Sequence, residues 1–230
     1  MVTLKRPKSL KVSAKEWKRL LVLNQYENDA RAKGFQHIFG LDEAGRGPLA
    51  GPVVASACMI PEGVYFPEID DSKKLTAAQR ENLFELITTH PDVLFSIGII
   101  SHTDIDRINI YQASIEAMLA ALSKLEKVPD CLLVDGMNFP HPAATCVKII
   151  KGDSLSQSIA AASIIAKVTR DRIMIEYHGQ WPQYGFDRHK GYSTSFHIDA
   201  IKTHGICDIH RLSFAPCQKN DQQLLLFPIE

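Results

Sequence analysis

The chain has 230 residues, an apolar fraction of 45%, a charged fraction of 23% and a formal net charge of zero, which fits one soluble domain with appendages and a substantial core. No apolar run is long enough for a membrane span, and the start Met1-Val2-Thr3-Leu4-Lys5-Arg6-Pro7 lacks the apolar centre of a signal peptide. Cysteines 58, 131, 146, 207 and 217 are scattered and form no CxxC, which argues against a disulfide framework or a zinc site and for reduced thiols in a cytoplasmic protein.

In chain order, Ser13-Ala14-Lys15-Glu16 is a capping-box pattern ahead of Trp17, Leu20, Leu21 and Leu23, and it predicts a helix over 14–32 ended by Gly34. Residues 1–36 hold nine Lys/Arg against three acids, a net of +6 that leaves the remainder near −6. Such a basic arm favours phosphate backbones, and it equally fits a solvated helix face. His37–Asp42 and Val53–Met59 read as strands joined by a glycine-rich segment. Thr76 opens a helix to about Thr89, Val93–Ile100 is a strand, and Ile108 to about Leu125 has helical apolar spacing. Cys131–Val134 and Val147–Ile150 are further short strands, the first ending at Asp135 and the second near Asp153. A long helix fits from Ser154 to about Tyr177, broken by Pro182 and Gly185, and Ser195–His204 is a short one closed by Gly205. A mixed sheet with flanking helices fits this order.

The chemistry concentrates at Gly40-Leu41-Asp42-Glu43-Ala44-Gly45-Arg46-Gly47-Pro48. Adjacent carboxylates repel and resist burial unless cations or donors compensate them. The glycines let the backbone approach a ligand, and Arg46 between them is a charged fork suited to phosphate. Acids for a metal beside a backbone clamp for a phosphodiester form a nuclease-like pairing. Asp135 and Asp153 stand at other strand ends, where a sheet gathers distant residues into one acidic pocket. Alone, Asp135 reads as an Asp-Gly turn and Asp153 as a helix N-cap; their occurrence with Asp42-Glu43 favours a four-carboxylate site. Phosphodiester hydrolysis at such a site uses two hard divalent cations, roughly 3.5–4 Å apart, Mg²⁺ or Mn²⁺.

The Gly40–Gly47 run resembles the signature of bacterial type 2 ribonuclease H, the ribonuclease HII family. The resemblance continues through Asp71-Ser72-Lys73-Lys74-Leu75, Val134-Asp135-Gly136, Lys151-Gly152-Asp153-Ser154, Ala160–Met174 and Tyr184–Tyr192, in the family's order over residues 37–215. It implies a ribonuclease H-like mixed five-stranded sheet flanked by helices as a catalytic domain at 37–215 with a helical C-terminal region; the basic extension at 1–36, with its one helix, reads as an added N-terminal element, and a tail at 216–230 follows. It also implies an endoribonuclease, which is expected to be a monomer. That enzyme would cleave the RNA strand of RNA–DNA hybrids, and cut 5′ to ribonucleotides embedded in duplex DNA. In that pattern Asp42 bridges two metal ions, Glu43 and Asp135 complete the leaving-group side, and Asp153 the side of the attacking water.

Backbone groups of Gly45-Arg46-Gly47 are suited to a ribose 2′-hydroxyl, the direct handle that separates RNA from DNA. In the family this tripeptide works with a tyrosine at the junction, which maps to Tyr192; Tyr184 competes and reads more naturally as a core aromatic. Ser154, Lys167, Arg170, Arg188 and Lys190 are expected phosphate contacts, Lys167 and Arg170 sharing a helix face. Gln223-Leu224-Leu225-Leu226-Phe227 resembles the peptide by which bacterial proteins dock on the DNA sliding clamp, with Gln223, Leu224, Leu226 and Phe227 as contacts; a segment packing on its own domain is the alternative. Ribonuclease HIII, the nearest rival, carries a lysine between the glycines and a larger N-terminal domain. A silent hybrid-binding protein would have no use for four repelling carboxylates.

Overall fold

The computed structural model describes residues 6–7 and 10–218. At its centre lies β1 (Ile38–Ala44), antiparallel to β2 (Val53–Met59) and parallel to β4 (Cys131–Asp135). β3 (Leu94–Ile100) pairs antiparallel with β2, and β5 (Thr145–Ile149) parallel with β4, giving the order β3-β2-β1-β4-β5. Every residue of β2 is buried, as expected of a strand covered on both faces.

The covering follows strand alternation. Phe39, Leu41, Val53, Ala55, Ala57, Leu132 and Val134 pack with Ala113, Ala117, Met118 and Ala121 of α4 (His102–Leu122). The opposite face, with Ile38, Cys58, Cys131 and Leu133, meets α5 (Gln157–Gln180) through Ile159, Ala161, Ala162 and Ile165. β1 and α5 touch at backbone level: a Cβ on Gly40 would lie 2.2 Å from the Ser158 carbonyl carbon. The mixed five-stranded sheet flanked by helices is therefore the architecture expected from the sequence.

Several boundaries differ, each for a local reason. The helix expected over 14–32 is two, α1 (Ala14–Leu23) and α2 (Gln25–Ala32), parted at Asn24. Buried Asn24 donates from its side chain to the Leu20 carbonyl at 2.9 Å and so competes with the helical ladder. α3 (Ala77–Thr88) begins at the Thr76 capping box. α4 starts earlier than the apolar spacing indicated, at the Ser101 cap, and is interrupted at Asn109, φ 67°, whose Oδ1 accepts from the Tyr111 and Gln112 amides. α5 starts at the Ser156 cap, and Asp153 lies before it in a 3-10 turn, Gly152–Ser154. A one-turn α6 (Phe186–His189) and α7 (Ser195–His204) follow.

The N-terminal helices, expected as an added element, are built into the body. Leu20 and Leu23 lie in the core with Ile164 and Val168. Buried Glu27 accepts from Ser156 Oγ at 2.6 Å and the Ser158 amide at 2.9 Å, so it caps the helix that carries the site's far wall. Among the described residues no helix is long and apolar enough to cross a membrane.

Candidate active site

Asp135 ends β4 and Asp42 lies two residues before the end of neighbouring parallel β1, and the register that sets Leu41 against Val134 leaves the two acids side by side on the α5 face. Asp153 reaches them from the turn between β5 and α5, a turn tied down by the Gly152 amide donating to Asp135 Oδ1 at 2.6 Å. One carboxylate oxygen from each of Asp42, Asp135 and Asp153 lies within 4.8 Å of the other two. Glu43, one residue on, alternates to the other side of the strand and is not part of that group. Its Oε1 accepts from Arg46 at 3.3 Å, while its Oε2 is buried with no partner among the described residues.

The electrostatics are those of a cation site. Burial first, then the charges of Glu43 and Asp135, hold the Asp42 carboxyl well above the usual carboxylate range. Burial together with Asp71 and Asp135 pushes Asp153 up to about 6. Glu43 is raised by burial, which Arg46 opposes and Asp135 reinforces. A cation resting on the three-carboxylate group is Lys73, its Nζ 3.8 Å from Asp153 Oδ2. Against the cost of partial desolvation, the carboxylates of Asp42, Asp71, Asp153 and Asp135 raise its pKa. An all-oxygen set that converges, repels itself and leaves one buried oxygen orphaned fits a hard divalent metal.

The loop after β1 is held from below by two buried arginines. Arg170, 1% exposed, donates to the carbonyls of Pro52 at 2.9 Å, Lys190 at 2.9 Å and Ala50 at 3.0 Å. This departs from the expectation of a phosphate contact on the Lys167 face: every guanidinium nitrogen is spent on backbone. Gly45, φ 103°, is a glycine because a Cβ there would meet Arg170 Nε at 2.2 Å. Arg211, fully buried, donates to Gly51 O at 2.9 Å, Arg46 O at 3.1 Å, Gly45 O at 2.6 Å and Pro52 O at 3.2 Å. Burial lowers Arg170 to about 10 and Arg211 to about 9, so both remain protonated at neutral pH.

On its outer side the loop is open. A Cβ on Gly47 would meet only Tyr192, at 3.6 Å from Cε1. Tyr192 is 43% exposed, whereas Tyr184 is 2% exposed, donates to Gly205 O at 3.0 Å and stacks on Phe186. Lys167 sits with its ammonium 5.8 Å above the Tyr192 ring and is paired with Asp171 at 2.7 Å. Beside Tyr192 runs a groove lined by Arg80, Lys167, Arg172, Arg188 and Lys190. Ser154 Oγ accepts from Lys74 at 3.0 Å at the rim of the carboxylates. The Asp71–Leu75 motif contains Lys73 but gives it no role by itself, and Arg211 lies in no motif of the sequence. Nothing local marks His210-Arg211-Leu212 as more than a loop; the contact spans the length of the domain.

Carboxylates gathered at strand ends of this sheet, next to a glycine loop and a basic groove, define a nuclease of the ribonuclease H-like fold. Residues 39–217 match the family model described as Ribonuclease HII. The chain belongs to the ribonuclease HII family, ribonucleases that act on RNA–DNA hybrids. It is 50% identical over 210 residues to Ribonuclease HII of Chlamydia pneumoniae, covering 91% of this chain and 98% of that protein. The ribonuclease H2 structure of Pyrococcus horikoshii OT3 superposes with a TM-score of 0.68 at 26% identity, over 84% of this chain and all of that one. The ribonuclease HII in the PCNA complex of Archaeoglobus fulgidus shares the fold at 24% identity and a TM-score of 0.63, over 82% of this chain and 100% of that chain. The resemblance seen in the sequence is thereby borne out at the level of family and fold.

Proposed function

We propose that the chain is a metal-dependent endonuclease that also cuts on the 5′ side of single ribonucleotides embedded in duplex DNA, leaving 3′-hydroxyl and 5′-phosphate ends. The observation that supports it is the juxtaposition of the three-carboxylate cluster with an open Gly45-Arg46-Gly47 backbone faced by an exposed tyrosine. Asp42, Asp135 and Asp153, joined by Glu43, would hold Mg²⁺ or Mn²⁺, which supply an acidified water and neutralise charge on the departing oxygen. The chain's own residues do the rest. The loop amides address the 2′-hydroxyl, and the Tyr192 ring packs on the next sugar, where a second 2′-hydroxyl would not fit. Arg46 and Lys73, each resting on a site carboxylate, are free to turn to phosphate once metal satisfies those acids. Lys167, Arg188, Lys190 and Ser154 line the strand's path.

The deciding experiment is a duplex carrying one ribonucleotide, incubated with Mg²⁺ or Mn²⁺ beside an all-DNA twin. Cleavage at the single ribonucleotide alone is expected. Tyr192→Ala should lower that cleavage mainly through kcat, by about 10- to 100-fold, because the ring aligns the junction in the transition state. Loss on Tyr184→Ala with Tyr192→Ala unaffected would reassign the reading to Tyr184.

The proposed partners extend to the DNA sliding clamp. The peptide Gln223-Leu224-Leu225-Leu226-Phe227 lies outside the described residues, so its support is its sequence. A fold relative from Archaeoglobus fulgidus is known in complex with PCNA. Leu226 and Phe227 would serve as apolar anchors, with affinity on the order of micromolar after the ordering cost of a short peptide. Deleting residues 222–230 should leave cleavage of short duplexes unchanged and abolish co-migration with the clamp. Lost activity on a short duplex would make the tail structural.

A further inference from the structure

Arg211 makes bonds that go beyond packing. The carbonyls of Gly45 and Arg46, which it holds at 2.6 and 3.1 Å, belong to the two peptide units whose N–H groups are those of Arg46 and Gly47. A trans peptide points its N–H opposite to its C=O. Pinning both carbonyls from beneath therefore turns both amides away from the guanidinium and toward the open side, where Gly47 faces Tyr192. Neither amide has a partner among the described residues. Both residues are exposed, so the two donors face solvent and are open to an acceptor on a ligand that displaces water.

Arg211 is itself held in place. Its own amide donates to Leu49 O at 2.8 Å, and the Gly51 amide donates to Ile209 O at 2.9 Å, stitching residues 209–211 to the loop. Asp106 of α4 accepts from the amides of Leu212 and Ser213, each at 2.8 Å. No carboxylate pairs with the Arg211 guanidinium among the described residues, so its full charge faces the loop carbonyls. A charge-assisted bond at a carbonyl polarises the whole peptide and strengthens its N–H as a donor.

We infer that Arg211 is the positioning residue for ribonucleotide recognition: it fixes and polarises the Gly45–Arg46 and Arg46–Gly47 peptide planes so that two amides meet the 2′-hydroxyl and its adjoining phosphate. Arg170 supports it by holding Ala50 and Pro52 at the loop's far end. The inference rests on the reading of this loop as the ribonucleotide reader and adds the group that sets it.

The test is the binding preference for a duplex with one ribonucleotide over its all-DNA twin, measured without divalent metal so that nothing is cut. Thermal unfolding of each variant is followed alongside. Wild type is expected to prefer the ribonucleotide duplex. Arg211→Gln should lose at least about tenfold of that preference, or all of it where the wild-type ratio is smaller, while binding the all-DNA duplex as wild type does. A role in stability alone would scale both affinities with the folded fraction and leave their ratio unchanged. If Arg211→Gln does not fold, Arg211→Lys decides by the same ratio: it keeps charge and stem, but one ammonium cannot span both carbonyls, so preference should still fall. A folded variant whose ratio stays within twofold of wild type overturns the role of Arg211 and leaves the loop's reading standing. A wild-type enzyme with no preference overturns the loop's reading, and the inference with it.

Discussion

Asp42→Asn is expected to abolish cleavage, lowering kcat by about a thousandfold or more at saturating Mg²⁺, while the fold survives. The change removes one charged oxygen ligand without removing volume, and stabilisation of charge by a bound metal is worth several kcal/mol, roughly 1.4 kcal/mol per decade of rate. Asp42 is the buried centre of the cluster, its ionisation opposed by burial, Glu43 and Asp135. The metal-free variant should therefore melt at a higher temperature than the metal-free wild type, because a repelling charge has gone. The same logic gives a pH dependence for the metal-free wild type. Asp153 has its pKa raised from 3.8 to about 6 in the folded protein. Its contribution is thus fully present below pH 3.8 and lost as pH rises through about 6. Melting curves at pH 5 and pH 7.5, with chelator and then with Mg²⁺, check both points: the decline should be visible with chelator and relieved by metal. Cleavage by Asp42→Asn within tenfold of wild type would remove Asp42 from the metal site.

Gly40→Ala is expected to cost about 3 kcal/mol of stability, read as a shifted denaturant midpoint at unchanged slope. One methyl on β1 would lie 2.2 Å from the Ser158 carbonyl carbon and 2.3 Å from the Ile159 nitrogen, both backbone atoms at the first turn of α5. A helix backbone cannot yield as a side-chain tip can, so β1 and α5 must separate. That separation also moves Asp42, two residues along β1, from Asp153, which lies just before α5. Residual cleavage should accordingly fall by more than the folded fraction explains. A variant within 1 kcal/mol of wild type would mean the strand and helix are not locked at this point.

The sequence made the fold legible where periodicity and punctuation agreed. The strands around Leu41, Ala55 and Val134 and the capped helix at Thr76 are local signals, and the structure has them. The breaks at Asn24 and Asn109 were hidden because the apolar pattern runs through both, and a side-chain hydrogen bond decided each. In the site, the acids could be listed from the motifs, yet the split between Asp42 and Glu43 depends on which face each takes at the end of β1. Arg170 shares a helix face with Lys167 yet is buried, because helical spacing says which residues share a face and not whether that face is wet. Arg211 had no local signal, since its partners stand at Gly45, Arg46, Gly51 and Pro52.

The distance along the chain between Arg211 and the loop it braces has a consequence for synthesis. The last cluster carboxylate is at position 153, and the helix that walls the site ends at Gln180. The brace arrives only with residue 211, after loop closure across most of the domain, the slowest kind of contact to form. A chain emerging from the ribosome thus carries Asp42, Asp135 and Asp153 before it owns the arginine that braces the Gly45–Gly47 loop. A product truncated between those points would keep the acids and lack the brace on the loop beside them. The brace on the Gly45–Gly47 loop is thus the last of these parts to be synthesised.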